Sequence, residues 1–151
     1  NDIHLLSNRL ANVFATLGLA VRDRVGILLP QRPEVGISHL ATYRSGAIAV
    51  PLFTLFGQDA LRYRLKDSGA KIVVTDSVGA NSIASIRDEL PDLRTVINID
   101  GASDGAEDFY ALLERGSDSF KTVHANSSSV FIRLMNSSDV SSIPNSLILL
   151  V

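Results

Sequence analysis

The 151-residue sequence contains no cysteine and no tryptophan. Without cysteine the chain has no disulfide, no thiolate ligand for a metal and no cysteine nucleophile. Its three histidines, His4, His39 and His124, are scattered and have no carboxylate or second histidine at metal-ligand spacing, so we interpret each as structural or solvent-facing and predict no metal site. A cysteine-free chain agrees with a reducing compartment, and a cytoplasmic location is our expectation.

The sequence also lacks a surplus of positive charge and any long apolar run. Fourteen lysines and arginines against sixteen aspartates and glutamates give a formal net charge of -2, and no local basic patch stands out. Binding to nucleic acid is therefore not expected. The longest apolar stretch, 147–151, is far shorter than the roughly 20 residues of a membrane span. Because the first residue is asparagine, the chain is expected to start inside a longer sequence.

Hydrophobic periodicity alternates between helix and strand along the chain. Predicted strands are 24–29, 47–50, 71–75, 95–99 and 130–135. Predicted helices are 6–17, 33–45, one around Leu61 and Leu65, one marked by Ile83, Ile86 and Leu90, and 107–115. Short apolar strands separated by helices predict an α/β fold, doubly wound, with a mainly parallel sheet covered by helices on both faces.

Residues that favour helix ends support this assignment. Gly18 follows the first apolar stripe and is a candidate C-cap, and Pro33 suits the first turn of the second helix. Asp59 is predicted to cap the third helix. Asp76, after the third strand, is predicted to begin a turn or to cap the next helix. A phosphorylated receiver aspartate is disfavoured there, because a receiver domain also needs an acidic pair after the first strand.

Composition changes near residue 117. We assign residues 1–116 to an α/β subdomain and residues 117–151 to an atypical serine-rich end containing a loop and one strand of the same domain. Two interpretations of this end stay open: a polar loop followed by an edge strand, or an aberrant terminus produced by a frameshift, by uncertain residue assignment or by sequence decay. Both imply an incomplete fold.

Four segments, in this order and spacing, carry a resemblance to a known family. They are 8–12 (NRLAN) with 17–18 and 23–25, then 27–34 (ILLPQRPE), 43–52 (YRSGAIAVPL) and 67–70 (DSGA). The ordered set spans roughly residues 5 to 100 and resembles the N-terminal part of the AMP-forming acyl-CoA synthetases, in the adenylate-forming superfamily. The matched segments are mostly scaffold in that family, so no catalytic role is assigned to Gln31, Arg32 or Glu34.

The resemblance implies a reaction and its cofactors. Enzymes of this family activate a carboxylic acid with ATP, forming an acyl-AMP and pyrophosphate, and then transfer the acyl group to coenzyme A. ATP or AMP, magnesium and CoA are thus the cofactors of the parent family, and a small-molecule carboxylic acid, of short or medium chain, is its partner. A fragment without the later elements of the enzyme is expected to be inactive by itself and to bind none of these ligands tightly.

The phosphate-binding loop of the family aligns with residues 136–142 when Pro144 is placed on the family's proline. The degraded phosphate-loop positions are then Ser137, Ser138, Ser141 and Ser142. Asp139 and Ser142 stand where the family has glycine, and Asn145 stands where it has lysine. An aspartate facing a triphosphate adds repulsion, and backbone that needs positive φ is disfavoured for these residues. We therefore favour a serine-rich surface turn without a ligand.

Two other functions stay open. A non-catalytic α/β module could bind a nucleotide or a partner through the carboxyl ends of its strands. The glycine-containing turn 101–105 lacks the spacing of a dinucleotide-binding motif and is interpreted as a plain loop. Alternatively, exposed apolar surface could drive self-association. Phe53, Phe56 and Tyr63 would then be exposed remnants of an interface, and otherwise would line a small apolar cleft.

Overall fold

The structure, a computed structural model, describes residues 2–123. The predicted strand 130–135 and the serine-rich loop lie outside the described residues. In chain order the elements are α1 (Asp2–Thr16), β1 (Arg24–Leu28), α2 (Pro33–Arg44), β2 (Ile48–Pro51), α3 (Gln58–Ser68), β3 (Ile72–Thr75), α4 (Ser77–Ala84), a 3-10 turn (Arg87–Glu89), β4 (Thr95–Asn98), β5 (Glu107–Asp108) and α5 (Phe109–Arg115). None of the described helices is long and apolar enough to cross a membrane.

The five strands form one parallel sheet in the order β2-β1-β3-β4-β5. Val25 of β1, for example, lies opposite Ala49 of β2 and Ile72 of β3. The strands are buried because helices cover both faces of a parallel sheet. The predicted doubly wound α/β fold is confirmed.

Each face of the sheet has its own apolar core. Helices α1, α2 and α5 cover one face, where Phe14, Ile37 and Phe109 pack with side chains of the strands. Helices α3 and α4 cover the other, where Leu65 and Ile83 pack. The two layers result from the alternation of side chains along each strand, which sends successive residues to opposite faces.

Helix ends follow the predicted residues except at α3. Gly18 has a φ of 79°, as expected of a residue that ends a helix turn. Asp76 caps α4, because its side chain accepts a hydrogen bond from the Gly79 N–H at 2.9 Å. The predicted cap by Asp59 is wrong: Gly57 occupies the N-cap position, and Asp59 instead pairs with Arg62 one turn later.

Two predicted helices have different bounds. The fourth begins at Ser77 and ends at Ala84, and the apolar residues that follow it lie around the 3-10 turn. Glu107 and Asp108 were predicted as helix but pair with β4 as the short strand β5, so α5 begins only at Phe109. Tertiary pairing overrides local helix propensity here.

The motif at residues 8–12 holds a distant part of the chain. The Asn8 side-chain amide donates to the Asp118 carbonyl at 2.8 Å, and Arg9 pairs with the Asp118 carboxylate. The Asn12 amide donates to the carbonyls of residues 117 and 119, each at 3.0 Å. We call these three side chains, Asn8, Arg9 and Asn12, the α1 clamp. It fixes the backbone after α5 against α1.

Candidate functional site

The strand order indicates that a site would lie at the carboxyl ends of the strands, which we call the carboxyl edge of the sheet. From β1 the chain moves outward to β2 and then returns past β1 to β3, so the winding direction reverses between β1 and β3. In open α/β sheets, ligands bind outside the carboxyl ends of the strands at such a switch point. The side chains that follow β1, β3 and β4 lie at this carboxyl edge.

A group of polar side chains meets at this edge, and we call it the carboxyl-edge cluster. Its members are Arg32, Glu34, Ser77, Asn98, Asp100, Ser103 and Tyr110. They come from the last residue of β4, from the segments after β1, β3 and β4, and from the first turn of α5. The cluster thus joins segments that are far apart in sequence.

Arg32 lies at the centre of the carboxyl-edge cluster. Its Nη1 lies 3.2 Å from Asp100 Oδ1, and its Nε lies 3.6 Å from Glu34 Oε2. The Arg32 side chain is 43% exposed, whereas the Glu34 side chain is 7% exposed. Since one cation faces two carboxylates, the cluster has no spare positive charge for a phosphate.

Glu34 also connects α2 to α5. The Tyr110 hydroxyl donates to Glu34 Oε1 at 2.5 Å. This hydrogen bond, then partial burial and the negative charge of Glu34, raise the pKa of Tyr110. Glu34 Oε2 is buried and accepts no hydrogen bond from the described residues. The ion pair with Arg32 is therefore the interaction that stabilises the negative charge of this oxygen.

Asp100 closes the amino end of α4. Its Oδ2 accepts a hydrogen bond from the Ser77 N–H at 3.0 Å. This bond, and then the neighbouring Arg32, lower the pKa of Asp100. The Asn98 amide donates to the hydroxyls of Ser77 and Ser103, and its Oδ1 accepts from the Asp100 N–H.

Helix amino ends are the usual anion sites of such folds, because their N–H groups are unpaired. Here carboxylates of the chain occupy them. Asp100 and Asp76 accept from N–H groups in the first turn of α4, and Asp108 accepts from the Tyr110 and Ala111 N–H groups of α5. In α2 the first position is Pro33, which has no N–H, and Glu34 follows it. The chain's own carboxylates thus accept the helix N–H groups that a bound anion would otherwise use at this edge.

Only some of the residues considered as site candidates from the sequence lie within the described part of the chain. Ser137, Ser138, Ser141 and Ser142 lie outside the described residues, as does His124. His39 Nδ1 lies 3.1 Å from the Tyr43 hydroxyl, and burial lowers the pKa of His39. Within residues 2–123 no three His, Cys, Asp or Glu residues are grouped to hold a metal ion.

Sequence reasoning missed the carboxyl-edge cluster. Arg32 and Glu34 were assigned no catalytic role, and Asn98, Asp100 and Tyr110 were not singled out. A signal was available, since Asp76 and Asp100 each follow a buried strand and such strands end at the same edge of a parallel sheet. The partner of Asp100, however, lies 68 residues away in sequence.

A second surface feature is apolar. The segment 52–57 between β2 and α3, which we call the apolar loop, leaves Leu55 96% exposed and Phe53 69% exposed. Phe56 is half-buried, contacts Phe53 edge to face at 5.5 Å between ring centroids, and lies 5.6 Å below the Arg64 guanidinium. Tyr63 is 67% exposed. Phe53 and Tyr63 thus lie at the surface of the described chain.

Comparison with known proteins gives consistent matches. Residues 1–138 match the sequence model of a family described as "AMP-binding enzyme". The long-chain-fatty-acid–CoA ligase FadD13 of Mycobacterium tuberculosis (strain ATCC 25618 / H37Rv) is 34% identical over 106 residues, which are 70% of this chain and 21% of that protein. The mitochondrial acyl-coenzyme A synthetase ACSM1 of Homo sapiens is 34% identical over 114 residues, covering 74% of this chain and 20% of the relative.

A solved structure agrees in both fold and sequence. The crystal structure of the Brucella canis acyl-CoA synthetase superposes with a TM-score of 0.72 at 34% identity, covering 81% of this chain and 22% of that chain. The chain thus spans about a fifth of the length of these relatives.

Proposed function

The chain belongs to the family of AMP-binding enzymes, and from that premise we propose that it is the N-terminal fragment of an acyl-CoA synthetase that contributes scaffold rather than catalytic groups. The parent reaction would be ATP-dependent activation of a carboxylic acid to acyl-AMP, followed by thioester formation with coenzyme A. A short- or medium-chain acid remains our proposal for its substrate, and the cytoplasm for its location.

One observation carries the assignment of a scaffold role. At the switch-point edge, the helix amino ends are occupied by Asp76, Asp100 and Asp108, and the single cation of the carboxyl-edge cluster is paired with two carboxylates. This arrangement holds loops in place and leaves no positive site for a triphosphate. It disfavours the alternative of a nucleotide-binding module acting through this edge.

The remaining place for a nucleotide is the serine-rich segment. We propose that Ser137, Ser138, Ser141 and Ser142 are degraded phosphate-loop positions that bind ATP weakly or not at all. Asp139 adds a negative charge where the loop needs donors, and Asn145 lacks the charge of a lysine. ATP, magnesium and CoA are accordingly not expected to bind this chain tightly, and it is expected to form no acyl-adenylate alone.

Calorimetry with magnesium-ATP tests this proposal. The unmodified chain is expected to bind with a Kd above about 1 mM, so about 1 mM ATP should stabilise it by less than about 0.4 kcal/mol. The triple variant Asp139→Gly, Ser142→Gly, Asn145→Lys restores the family residues and should bind at least about tenfold more tightly. Micromolar binding by the unmodified chain would refute the proposal of a degraded loop, and equal binding by both would refute the alignment.

The apolar loop favours a second candidate function. We propose that this surface, where Leu55 is almost fully exposed, drives self-association of the chain. Sedimentation velocity across a concentration series should show a dimer or larger species that Leu55→Ser weakens several-fold. The matched control is Ile3→Ser, which removes another exposed apolar side chain, on α1. A concentration-independent monomer, or equal effects of both variants, would contradict this role.

A further inference from the structure

The loop that connects β4 to β5 contains the sequence Asp-Gly-Ala twice, beginning at Asp100 and again at Asp104. In an Asp-Gly pair the side-chain carboxyl carbon can reach the backbone nitrogen of the next residue, and glycine has no Cβ to hinder that approach. Because the two copies have the same sequence, a difference in their reactivity must come mainly from the fold around them.

The carboxylate of Asp100 is held through both of its oxygens. Its Oδ2 accepts a hydrogen bond from the Ser77 N–H at 3.0 Å, and its Oδ1 lies 3.2 Å from Arg32 Nη1. The Asp100 N–H donates to Asn98 Oδ1 at 3.1 Å, which also restrains the backbone. Turning this carboxyl group towards the nitrogen of Gly101 would break its contacts with both partners.

Asp104 has no comparable restraint. Asp104 and Gly105 are both exposed, and neither makes a hydrogen bond or an ion pair with any residue of the range 2–123. They form the tip of a tight turn that is closed by the flanking residues. The Ser103 N–H donates to the Ala106 carbonyl at 3.1 Å, and the Ala106 N–H donates to the Ser103 carbonyl at 3.0 Å.

The backbone at Gly105 is open to approach. Gly105 has a φ of 74°, which glycine adopts without strain, and a Cβ added there would meet nothing within 4 Å. The Asp104 side chain can therefore rotate towards the Gly105 nitrogen without breaking a contact or displacing a neighbour.

We propose that Asp104 is a site of spontaneous isoaspartate formation, whereas the fold protects Asp100. The Gly105 nitrogen attacks the carboxyl carbon of Asp104 in its acid form. A C–N bond forms, and the acid hydroxyl leaves as water with the amide proton, which closes a succinimide ring. Water then opens the ring. Attack at the side-chain carbonyl restores aspartate, and attack at the main-chain carbonyl gives isoaspartate, so the overall change is an isomerisation.

The isomerised linkage changes both the turn and the surface. The main chain then runs through the side-chain carbons of residue 104 and is one carbon longer, so the paired bonds between Ser103 and Ala106 no longer fit the turn. The Ser103 hydroxyl accepts from the Asn98 amide at 3.4 Å, so one side of the carboxyl-edge cluster loosens. The reaction also creates an exposed α-carboxylate, the group that an isoaspartyl methyltransferase methylates with S-adenosylmethionine.

Ageing of the folded full chain at neutral pH and physiological temperature tests the proposal. Samples taken over several weeks are labelled with an isoaspartyl methyltransferase and isotopically labelled S-adenosylmethionine. Trypsin releases residues 95–115 as one peptide that contains both Asp-Gly pairs, and fragmentation of this peptide assigns the label to a residue. The same peptide, synthesised and aged free in solution, is the reference without a fold.

The expected result is a selectivity that only the folded chain shows. In the free peptide both aspartates should isomerise at similar rates, whereas in the folded chain Asp104 should isomerise at least about tenfold faster than Asp100. Asp104→Glu keeps the charge but would need a six-membered ring, so it should remove the label from residue 104. Equal rates at both aspartates of the folded chain, or faster reaction at Asp100, would overturn the proposal. It would also fail if the free peptide isomerised while the folded chain stayed unlabelled at Asp104, or if the label at residue 104 persisted in Asp104→Glu.

Discussion

The carboxyl-edge cluster and the apolar loop differ in whether their side chains have partners within the chain. In the cluster, Arg32, Asp100 and Tyr110 bond to other side chains of the chain, and helix amino ends are closed by aspartates. In the apolar loop, Leu55 and Phe53 are exposed. Burying a polar group without a partner costs free energy, and in the cluster the buried Glu34 Oε2 has only its ion pair with Arg32. An exposed apolar side chain is tolerated until a partner covers it.

The contrast indicates where the rest of an enzyme would act. A polar edge whose helix amino ends are capped by the chain's own carboxylates agrees with the scaffold role proposed above. The apolar loop is the surface on which further protein, or a second copy of the chain, would gain the most by burial. The chain spans about a fifth of the length of its relatives, which therefore contain much further protein.

The largest expected difference between the two regions is in packing. Gly79 lies in the first turn of α4, where an added Cβ would overlap Thr75 Oγ1 and approach Leu28 Cδ2 to 2.9 Å. Thr75 cannot easily rotate away, because its hydroxyl donates to the Leu28 carbonyl at 2.9 Å. We expect Gly79→Ala to lower the free energy of unfolding by about 1–3 kcal/mol, despite the better helix propensity of alanine. Urea denaturation measures this change.

Gly57 in the apolar loop is the matched control for that substitution. A Cβ added there would meet nothing within 4 Å, and Gly57 has an ordinary negative φ of -66°. Gly57→Ala should therefore change the stability by only about 0.5 kcal/mol, a typical effect at a helix N-cap. Equal losses in the two variants would show that the carboxyl edge is no more tightly packed than the loop.

An intermediate effect is expected from Arg32 of the cluster and from Arg64, which lies on α3 over Phe56 of the apolar loop. Arg32→Ala leaves the buried Glu34 carboxylate without its cation and should cost about 1 kcal/mol, a value reduced because Arg32 is partly exposed. Arg64→Ala removes only a cation–π contact with Phe56 at an exposed site and should cost about 0.5 kcal/mol.

A double-mutant cycle assigns the cost of Arg32→Ala to its cause. If the loss comes from the unpaired Glu34 charge, adding Glu34→Gln should recover a part of it, since the glutamine carries no charge. Additive losses would instead assign the cost to Asp100, the other partner of Arg32.

The features predicted correctly from the sequence are the ones that depend on neighbouring residues. The parallel α/β fold follows from apolar periodicity, and the cap by Asp76 follows from an aspartate directly before a helix. The predicted cap by Asp59 is wrong because two residue types that favour helix starts lie close together, and Gly57 comes first. A prediction made from local preference cannot decide between them.

Features that depend on distant residues were missed for a physical reason. Glu107 and Asp108 form a strand only because β4 lies beside them. The contact of Glu34 with Tyr110 joins residues that are 76 positions apart. It requires the folded sheet, in which the segments after β1 and β5 lie at the same carboxyl end of the strands. Residue types alone give no register for such pairs. The α1 clamp is similar, because its sequence motif was recognised while its contact with residues 117–119 was not.

The smallest expected difference is in the response to pH, because only one of the two regions contains titratable groups. The Ser77 N–H and Arg32 hold the pKa of Asp100 below its ordinary value, so the stabilisation from its charge is present above the unfolded pKa of about 3.9 and is lost as the pH falls through the folded pKa. Residues 52–57 contain no ionisable side chain. Hydrogen exchange should therefore show the protection factor of the Ser77 amide falling only as the pH drops below about 4, while that of Phe56 stays constant. Asp100→Asn should lower Ser77 protection at neutral pH and remove its pH dependence, whereas Asp104→Asn, a change in the same loop, should leave both unchanged. A parallel loss of protection at Ser77 and Phe56 would mean that acid opens the whole domain and that the charge of Asp100 has no local role.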